Sequence, residues 1–507
     1  MDTLEVEQDG CSAVRQLRSS GTPASYSGSQ QSGILHTVVV NNPGSFRDPK
    51  SRVYHSGDRV FRGLRSSPNE VNALLSAEFF INGMESGELV ATRLMTDPMD
   101  LEELKIASGE VAWPVAMEHE RLPVISYPFE WSRSMLVDAA ELELRIARNA
   151  LAEGWMTIDA TPYNVQFVGS RPVHIDIGSF EAYKDGQAWI AYRQFCEMFL
   201  YPLLLGARGN GSEHRVMLRG SLAGIPASMC WTKLGMFERL RPSLIVHLGL
   251  QAAVERRKAR ETGAFTLSDL AAAGMTEKVV DRQMKGLEKI LGRIDRRVKS
   301  SHWSSYSDRS HYQPEEFQAK RDFVVSVARD TRPSLVLDIG ANDGAFSEAV
   351  APFVDHVVAV DSDDAVVDNL YLSLRDSDKK ILPLVVDITD PAGGRGWGNA
   401  ERLPFFERIK PDLVLCLAVI HHLVISASIP PELVADFLRS LDAGVVLEIP
   451  SLDDPMVGLL LKQKTNADDY RERYDGARIS RTFENRFEVR RREEIGTRSI
   501  LHLTPRI

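Results

Sequence analysis

The stretch Leu335-Val-Leu-Asp-Ile-Gly-Ala-Asn-Asp-Gly-Ala-Phe-Ser347 constrains this chain more than any other. An apolar run leads straight into a turn bracketed by two glycines and then into residues suited to a helix, the local build of a nucleotide-cofactor site. Gly340 and Gly344 flank three residues, so the turn can take positive φ and let a ligand approach the backbone with no Cβ in the way. Asp338 ends the strand, where it can accept a hydrogen bond from a cationic amine. The third glycine and the G-x-G spacing that bring a helix amino terminus onto a pyrophosphate are missing. A ligand without phosphates at this point is the better match.

Three more apolar runs follow, each with a polar end. His356-Val-Val-Ala-Val-Asp361 places a carboxylate 23 residues after Asp338, where an α/β sheet presents an acid to ribose hydroxyls. Ile381-Leu-Pro-Leu-Val-Val-Asp387-Ile388-Thr389 is a third strand, and Pro411-Asp-Leu-Val-Leu-Cys-Leu-Ala-Val-Ile-His421-His422 a fourth. On these motifs, residues 311–507 resemble a class I S-adenosylmethionine-dependent methyltransferase. The resemblance implies a Rossmann-like doubly wound α/β sheet with S-adenosylmethionine as cofactor. It further implies that Asp338, Gly340, Asn342 and Gly344 form the turn holding the cofactor's methionine part, that Asp361 takes the ribose, and that Asp387 with Ile388 takes the adenine. The plain structural alternative is an ordinary doubly wound sheet with a tight turn.

A chain of 507 residues is too long for one ordinary domain and predicts two or three. With 43% hydrophobic and 26% charged residues it has the composition of a globular protein, and a net charge of −10 gives no reason to expect global nucleic-acid binding. Cys11, Cys196, Cys230 and Cys416 lack C-x-x-C spacing, which argues against a zinc site or a disulfide framework and fits a reducing cytoplasm. No signal segment is evident and no apolar run approaches the ~20 residues of a membrane span. The longest, Met198-Phe-Leu-Tyr-Pro-Leu-Leu-Leu205, reads as a buried helix.

The expected organisation is a mobile tail over 1–45, an α+β domain over 46–235, a basic helical connector over 236–310, and the methyltransferase-like domain over 311–507. The tail is rich in Ser, Gly and Gln. Val53-Tyr-His-Ser-Gly-Asp-Arg-Val-Phe61 predicts a β-hairpin, a helix follows near Glu70 to Phe80, and short strands are expected around Leu89 to Met95 and Leu122 to Tyr127. Leu136, Ala140, Leu144, Ala147 and Leu151 share one helical face, with Ser134 as the expected N-cap and Gly154 ending the helix. In the connector, Glu255-Arg-Arg-Lys-Ala-Arg260 and Arg293-Ile-Asp-Arg-Arg-Val-Lys299 are read as a solvated basic face before a phosphate site, and the aromatics of His302-Trp-Ser-Ser-Tyr306 are too few for base stacking.

After that helix, Asp159, Asn164 and Asp176-Ile-Gly178 resemble in spacing the catalytic and metal-binding segments of the protein-kinase-like fold. The resemblance implies Asn164 and Asp176 as hard-oxygen ligands for Mg²⁺ and Asp159 as the group orienting a hydroxyl. The pattern departs from that family in three respects: no glycine-rich phosphate loop is evident, Leu89-Val-Ala-Thr-Arg93 offers an arginine in place of lysine, and Thr157 stands where a His or Tyr is usual. The readings are a phosphotransferase, a kinase-like fold kept for binding or presenting an acceptor, and an unrelated α+β domain.

Methyl transfer is an in-line displacement, so the protein must align a nucleophile, strip it of water and accept its proton. His421 and His422, beyond the fourth strand, have the pKa for a general base; they can equally cap the strand or pack beneath the cofactor. Glu448 is a candidate to orient one of them, and His-His-Glu is a possible metal set, although no metal dependence is expected. Trp397 in Gly393-Gly-Arg-Gly-Trp-Gly398 is expected near the adenine or the substrate, or else as the anchor of a surface loop. The segment Pro450–Gly458 could close over the acceptor. Arg481, Arg486, Arg490, Arg491 and Arg492 are read as strand and hairpin edges before an anion site.

The whole-chain arrangement is similar to a bacterial methyltransferase family that includes nodulation-associated proteins. The expected function is methyl transfer from S-adenosylmethionine to a hydroxyl of a saccharide or lipo-oligosaccharide, a small metabolite or a protein. The alternatives are a non-catalytic cofactor-binding sensor and a phosphotransferase centred on Asp159 and Asp176.

Overall fold

The computed structural model describes residues 39–109, 111–208, 212–258, 276–294, 314–375 and 377–506. Nearly all of the expected tail, residues 259–260 and 295–299 at the ends of the basic runs, and His302–Tyr306 lie outside them.

The amino-terminal half is built on a five-stranded antiparallel sheet in the order β1-β2-β3-β5-β4. Its strands are β1 (Val39–Asn41), β2 (Ser51–Ser56), β3 (Arg59–Leu64), β4 (Thr92–Leu94) and β5 (Val115–His119). The expected hairpin is β2 and β3, turning at Gly57 with φ +55°. The helix near Glu70 is two helices, Pro68–Leu75 and Glu78–Glu85, and residues 122–127 form no strand. The helix Arg133–Ala152 is buried on almost every face. Its N-cap is Ser132, whose hydroxyl accepts from Met135 N, in place of the expected Ser134. Ser134 is inside the helix because its hydroxyl and its N–H are both taken by a carboxylate of the other half.

Two short antiparallel pairs follow, β6 (Trp155–Thr157) with β9 (Phe180–Ala182), enclosing the hairpin β7 (Val165–Val168) with β8 (Arg171–His174). The helix Glu277–Leu291, placed by sequence in a connector, packs against Arg133–Ala152, with Arg148 bonded to both Asp281 and Glu288.

The carboxyl-terminal half is a Rossmann-like doubly wound sheet. Its strands are β10 (Leu335–Ile339), β11 (His356–Asp361), β12 (Ile381–Val385), β13 (Leu413–Cys416), β14 (Gly444–Pro450), β15 (Phe487–Ile495) and β16 (Arg498–Pro505). They run in the order β12-β11-β10-β13-β14-β16-β15. The first five are parallel; β16 lies antiparallel between β14 and β15. Alternate residues feed separate cores, Leu337, Val358, Leu384 and Val414 on one face and Val336, Val357, Ile381 and Leu413 on the other. Burial on both faces explains why these strands read as continuous apolar runs. The chain order reverses beside β10, where β11 continues on one side and β13 on the other. That opens a crevice at the strands' carboxyl ends.

Buried polar contacts join the halves. Asp368 accepts from Ser134 N and Oγ at 2.9 and 3.0 Å, while Asp138 accepts from Tyr371 Oη at 2.7 Å and Arg375 at 2.8 Å. Arg215 pairs with Asp364, and Arg408 with Glu130. Residues Val39–Ile507 accordingly form one compact unit.

Candidate functional site

The crevice beside β10 is a pocket of about 460 Å³. Each strand end delivers one predicted group into it: Asp338, Gly340 and Asn342 from β10 and its turn, Asp361 from β11, Asp387 and Ile388 after β12, and His421 and His422 after β13.

The turn is held to β11 by two bonds to Val360 O, from Gly340 N at 2.8 Å and Ala341 N at 3.0 Å. Gly340 has φ +70°, and a Cβ there would lie 2.6 Å from Val419 Cγ2. Asn342 also takes positive φ, and its N–H donates to Asp361 Oδ2 at 3.1 Å. Gly344 is different. It does not line the pocket; with φ +77° and a virtual Cβ 2.5 Å from Leu370 Cδ1, it lets the helix Ala345–Val350 approach the helix Asp364–Leu374. Its smallness serves helix packing.

Asp338 is 2% exposed and accepts from Ser347 Oγ at 2.6 Å. Burial pushes its carboxyl up to about 7, against the pull of Ser347 and Lys320. Burial also raises Asp361, even though its oxygens accept from the N–H groups of Asn342 and Asp363. Asp387 is exposed at the rim, where Oδ1 accepts from Thr389 N and Oγ1.

The histidines stand one turn beyond β13, which ends at Cys416, on a π-helical turn entered through Ala418 at φ +54°. Their rings are 4.3 Å apart. His421 is buried, its Nδ1 has no hydrogen-bond partner, and burial draws it well below the ordinary imidazole range. It is therefore neutral at physiological pH. His422 is lowered too, again by burial.

Glu448 pairs with two cations of the pocket wall. It is fully buried between Lys320 Nζ at 2.5 Å and Arg498 Nη1 at 3.0 Å, and these cations hold its carboxyl low against burial. Arg498 continues to Asp454 at 2.7 Å. Among the described residues no cluster of His, Cys, Asp and Glu is arranged to hold a metal ion.

Lys320 and Arg498 also line the pocket, as do Phe317, Phe346 and Met456, and none was singled out in the sequence. A signal existed for Lys320. Phe317, Lys320, Val324 and Val327 recur at offsets of three, four and three, which puts a lysine on the apolar stripe of its helix. Met456, from the segment after β14, is that segment's contribution to the wall.

Trp397 is 77% exposed and outside the pocket. Its loop turns away from the cofactor crevice and is held by Glu401, which accepts from Trp397 N at 3.0 Å and pairs with Arg47. Arg490, Arg491 and Arg492 lie on β15, whereas Arg481 is helical.

Asp159, Asn164 and Asp176 meet in a second cavity. The basic residue beside Asp176 is Arg62 of β3, at 2.6 Å. Arg93, the arginine that stands where the kinase-like pattern has a lysine, lies on β4 and pairs outside the cavity with Asp100 and Glu118.

No known family profile matches the chain. Among solved structures, it is similar to the N-methyltransferase NodS of Bradyrhizobium japonicum at 11% identity, covering 38% of this chain and 99% of that one with a TM-score of 0.28. It is similar to the magnesium protoporphyrin IX methyltransferase ChlM of Synechocystis PCC 6803 at 21% identity, covering 38% and 84% with a TM-score of 0.27. The nodulation protein NoeA of Rhizobium meliloti (strain 1021) is 31% identical over 434 residues, which span 85% of this chain and 89% of the relative. Extending as it does across both halves of the molecule, this likeness shows that the chain belongs to the family of nodulation protein NoeA.

Proposed function

We propose that the carboxyl-terminal half binds S-adenosylmethionine and transfers its methyl group to an acceptor hydroxyl, carried by a saccharide, a small metabolite or a protein. The observation that carries this reading is the convergence of four strand ends, with Asp338, Asp361, Asp387 and His421, on one pocket at the sheet's switch point.

The residues fit the cofactor. Asp338 is a carboxyl raised by burial, and a cationic amine bound beside it would favour its ionised form. The turn at Gly340 is a cradle that a side chain would fill. Asp361 would accept from the ribose hydroxyls, and Asp387 with Ile388 would meet the adenine. When bound, S-adenosylmethionine supplies an electrophilic sulfonium methyl. His421, held neutral by burial and with Nδ1 unpartnered, can accept the acceptor's hydroxyl proton at that atom. The Lys320-Glu448-Arg498 network fixes the wall behind it.

Calorimetric titration with S-adenosylmethionine, beside an Asp338→Ala variant, tests the site. Micromolar binding that the variant loses supports the reading; no binding by the folded wild type removes it. Transfer of a labelled methyl group to a component of a cell extract separates an enzyme from a cofactor sensor.

A further inference from the structure

Asp159, Asn164 and Asp176 have no task in methyl transfer, and the cavity they open onto is large, about 850 Å³. Its floor and most of its walls come from the amino-terminal half. One wall, Glu401 to Leu403 with Arg408, comes from the carboxyl-terminal half, and no residue lines both this cavity and the cofactor pocket.

Most charge in the cavity is neutralised internally. Arg62 donates to Asp176 at 2.6 Å, Ser51 Oγ at 3.0 Å and His119 Nε2 at 3.2 Å. Arg47 is held by Glu401, Lys50 by Glu181, Arg121 by Asp58 and Arg408 by Glu130. Apart from the solvent-exposed Asp48 and Glu120, two partly buried groups of opposite sign are left over. Asp159 Oδ1 is buried with no hydrogen-bond partner. Arg402 makes no ion pair and no side-chain hydrogen bond among the described residues; its Nε is buried and unpartnered, and its guanidinium lies 4.3 Å from the Tyr163 ring centroid. A buried polar atom without a partner carries a desolvation cost of roughly 1–3 kcal/mol, more when charged, and two in one cavity point to a ligand that completes them. Burial, with Asp176 and Glu143 nearby, raises Asp159 to about 6, so at neutral pH it is a carboxylate ready to accept from a hydroxyl.

We propose that this cavity is a second ligand site, taking a phosphate ester of a hydroxyl-rich small molecule whose hydroxyl donates to Asp159 and whose phosphate meets Arg402. A free guanidinium fork is the donor best matched to phosphate. The carboxylates of Asp159 and Asp176 repel an anion at the opposite end, which fixes the ligand's direction unless a divalent cation accompanies it, for which Asp176 and the Asn164 carbonyl are suitable hard ligands. The volume lies in the range of small-molecule sites, roughly 300–1,000 Å³, and admits either a sugar phosphate or a nucleotide.

The test is equilibrium titration of the full chain with glucose 1-phosphate and, separately, with ATP and magnesium, using wild type, Asp159→Asn and Arg402→Gln. Thermal unfolding followed by circular dichroism checks that the variants fold. The expected result is saturable binding of at least one probe, weakened at least about tenfold by each substitution with unfolding unchanged; the probe that binds identifies the source of the phosphate. Absence of binding of both probes to the folded wild type overturns the proposal, as does binding indifferent to either substitution. Neither result depends on whether S-adenosylmethionine binds.

Discussion

Asp338 makes the cofactor reading testable through pH alone. In the ligand-free protein its carboxyl stands at about 7, above the ordinary value of 3.8, chiefly because it is buried. A raised folded-state pKa stabilises the fold fully below the unfolded value and loses that contribution as pH rises through about 7. Binding a cationic amine has the opposite preference, since it needs the carboxylate. Between about pH 5.5 and pH 7 the ionised fraction of such a group climbs from roughly 3% to roughly 50%, so affinity for S-adenosylmethionine should rise roughly fifteen-fold, with proton release on binding. Asp361, also raised by burial, acts in the same direction. Asp361 and His422 are present in both proteins, so the comparison with Asp338→Asn isolates the Asp338 carboxyl: the amide cannot ionise, and its curve should be weaker and shallower than that of the wild type. Calorimetry in two buffers of different ionisation enthalpy measures both affinity and protons released. Parallel pH curves for wild type and Asp338→Asn would refute the argument.

Gly340→Val should weaken cofactor binding by at least about tenfold, because a left-handed backbone and a contact 2.6 Å from Val419 Cγ2 forbid the branched side chain without moving the turn. Circular dichroism should show the sheet intact, and unchanged affinity would contradict the cradle. His421→Ala should lower transfer by about 10²–10⁴-fold with cofactor affinity retained; if neither it nor His422→Ala slows single-turnover transfer, no histidine is the base. Arg408→Ala removes the partner of Glu130, and both side chains are only 3% exposed. Stranding that carboxylate should cost about 3–5 kcal/mol in urea unfolding. A loss under about 1 kcal/mol would mean that Tyr127 N, which also donates to Glu130, and penetrating water suffice.

The crevice beside β10 was readable because a parallel sheet buried on both faces writes its strands as apolar runs and leaves polar residues at their carboxyl ends. Asp338, Asp361 and Asp387 could be found by that punctuation alone. Gly344 was assigned to the ligand because a turn glycine looks the same whether it spares room for a cofactor or for Leu370. Ser132 and Ser134 are equally good caps locally; Asp368, over two hundred residues away, decides between them. Arg62 escaped notice for the same reason. Nothing next to it in the chain says that β3 faces Asp176. Trp397 was expected near the cofactor because it follows the third strand, but its loop is drawn to the other half by Arg47 and Glu401.

The motifs suggest two modules, yet the stabilising contacts do not divide that way. Asp368 lies at the amino terminus of the helix Arg133–Ala152, where a negative charge also complements the helix dipole, and the helix is in the other half. Asp138 of that helix, 6% exposed, is in turn satisfied by Tyr371 and Arg375 of the Rossmann-like half. Each half therefore buries a carboxylate that accepts hydrogen bonds from the other, and separating the halves would remove those donors. The two cavities are connected by the same arrangement, because residues 387–402 run from Asp387 at the rim of the first pocket to Arg402 in the second cavity. Occupancy of one cavity can influence the other only as far as a ligand binds the loop's alternative positions with different affinity. The anchors at Glu401 and Arg408 leave little room for such alternatives, which favours two sites sharing one scaffold over a switch between them.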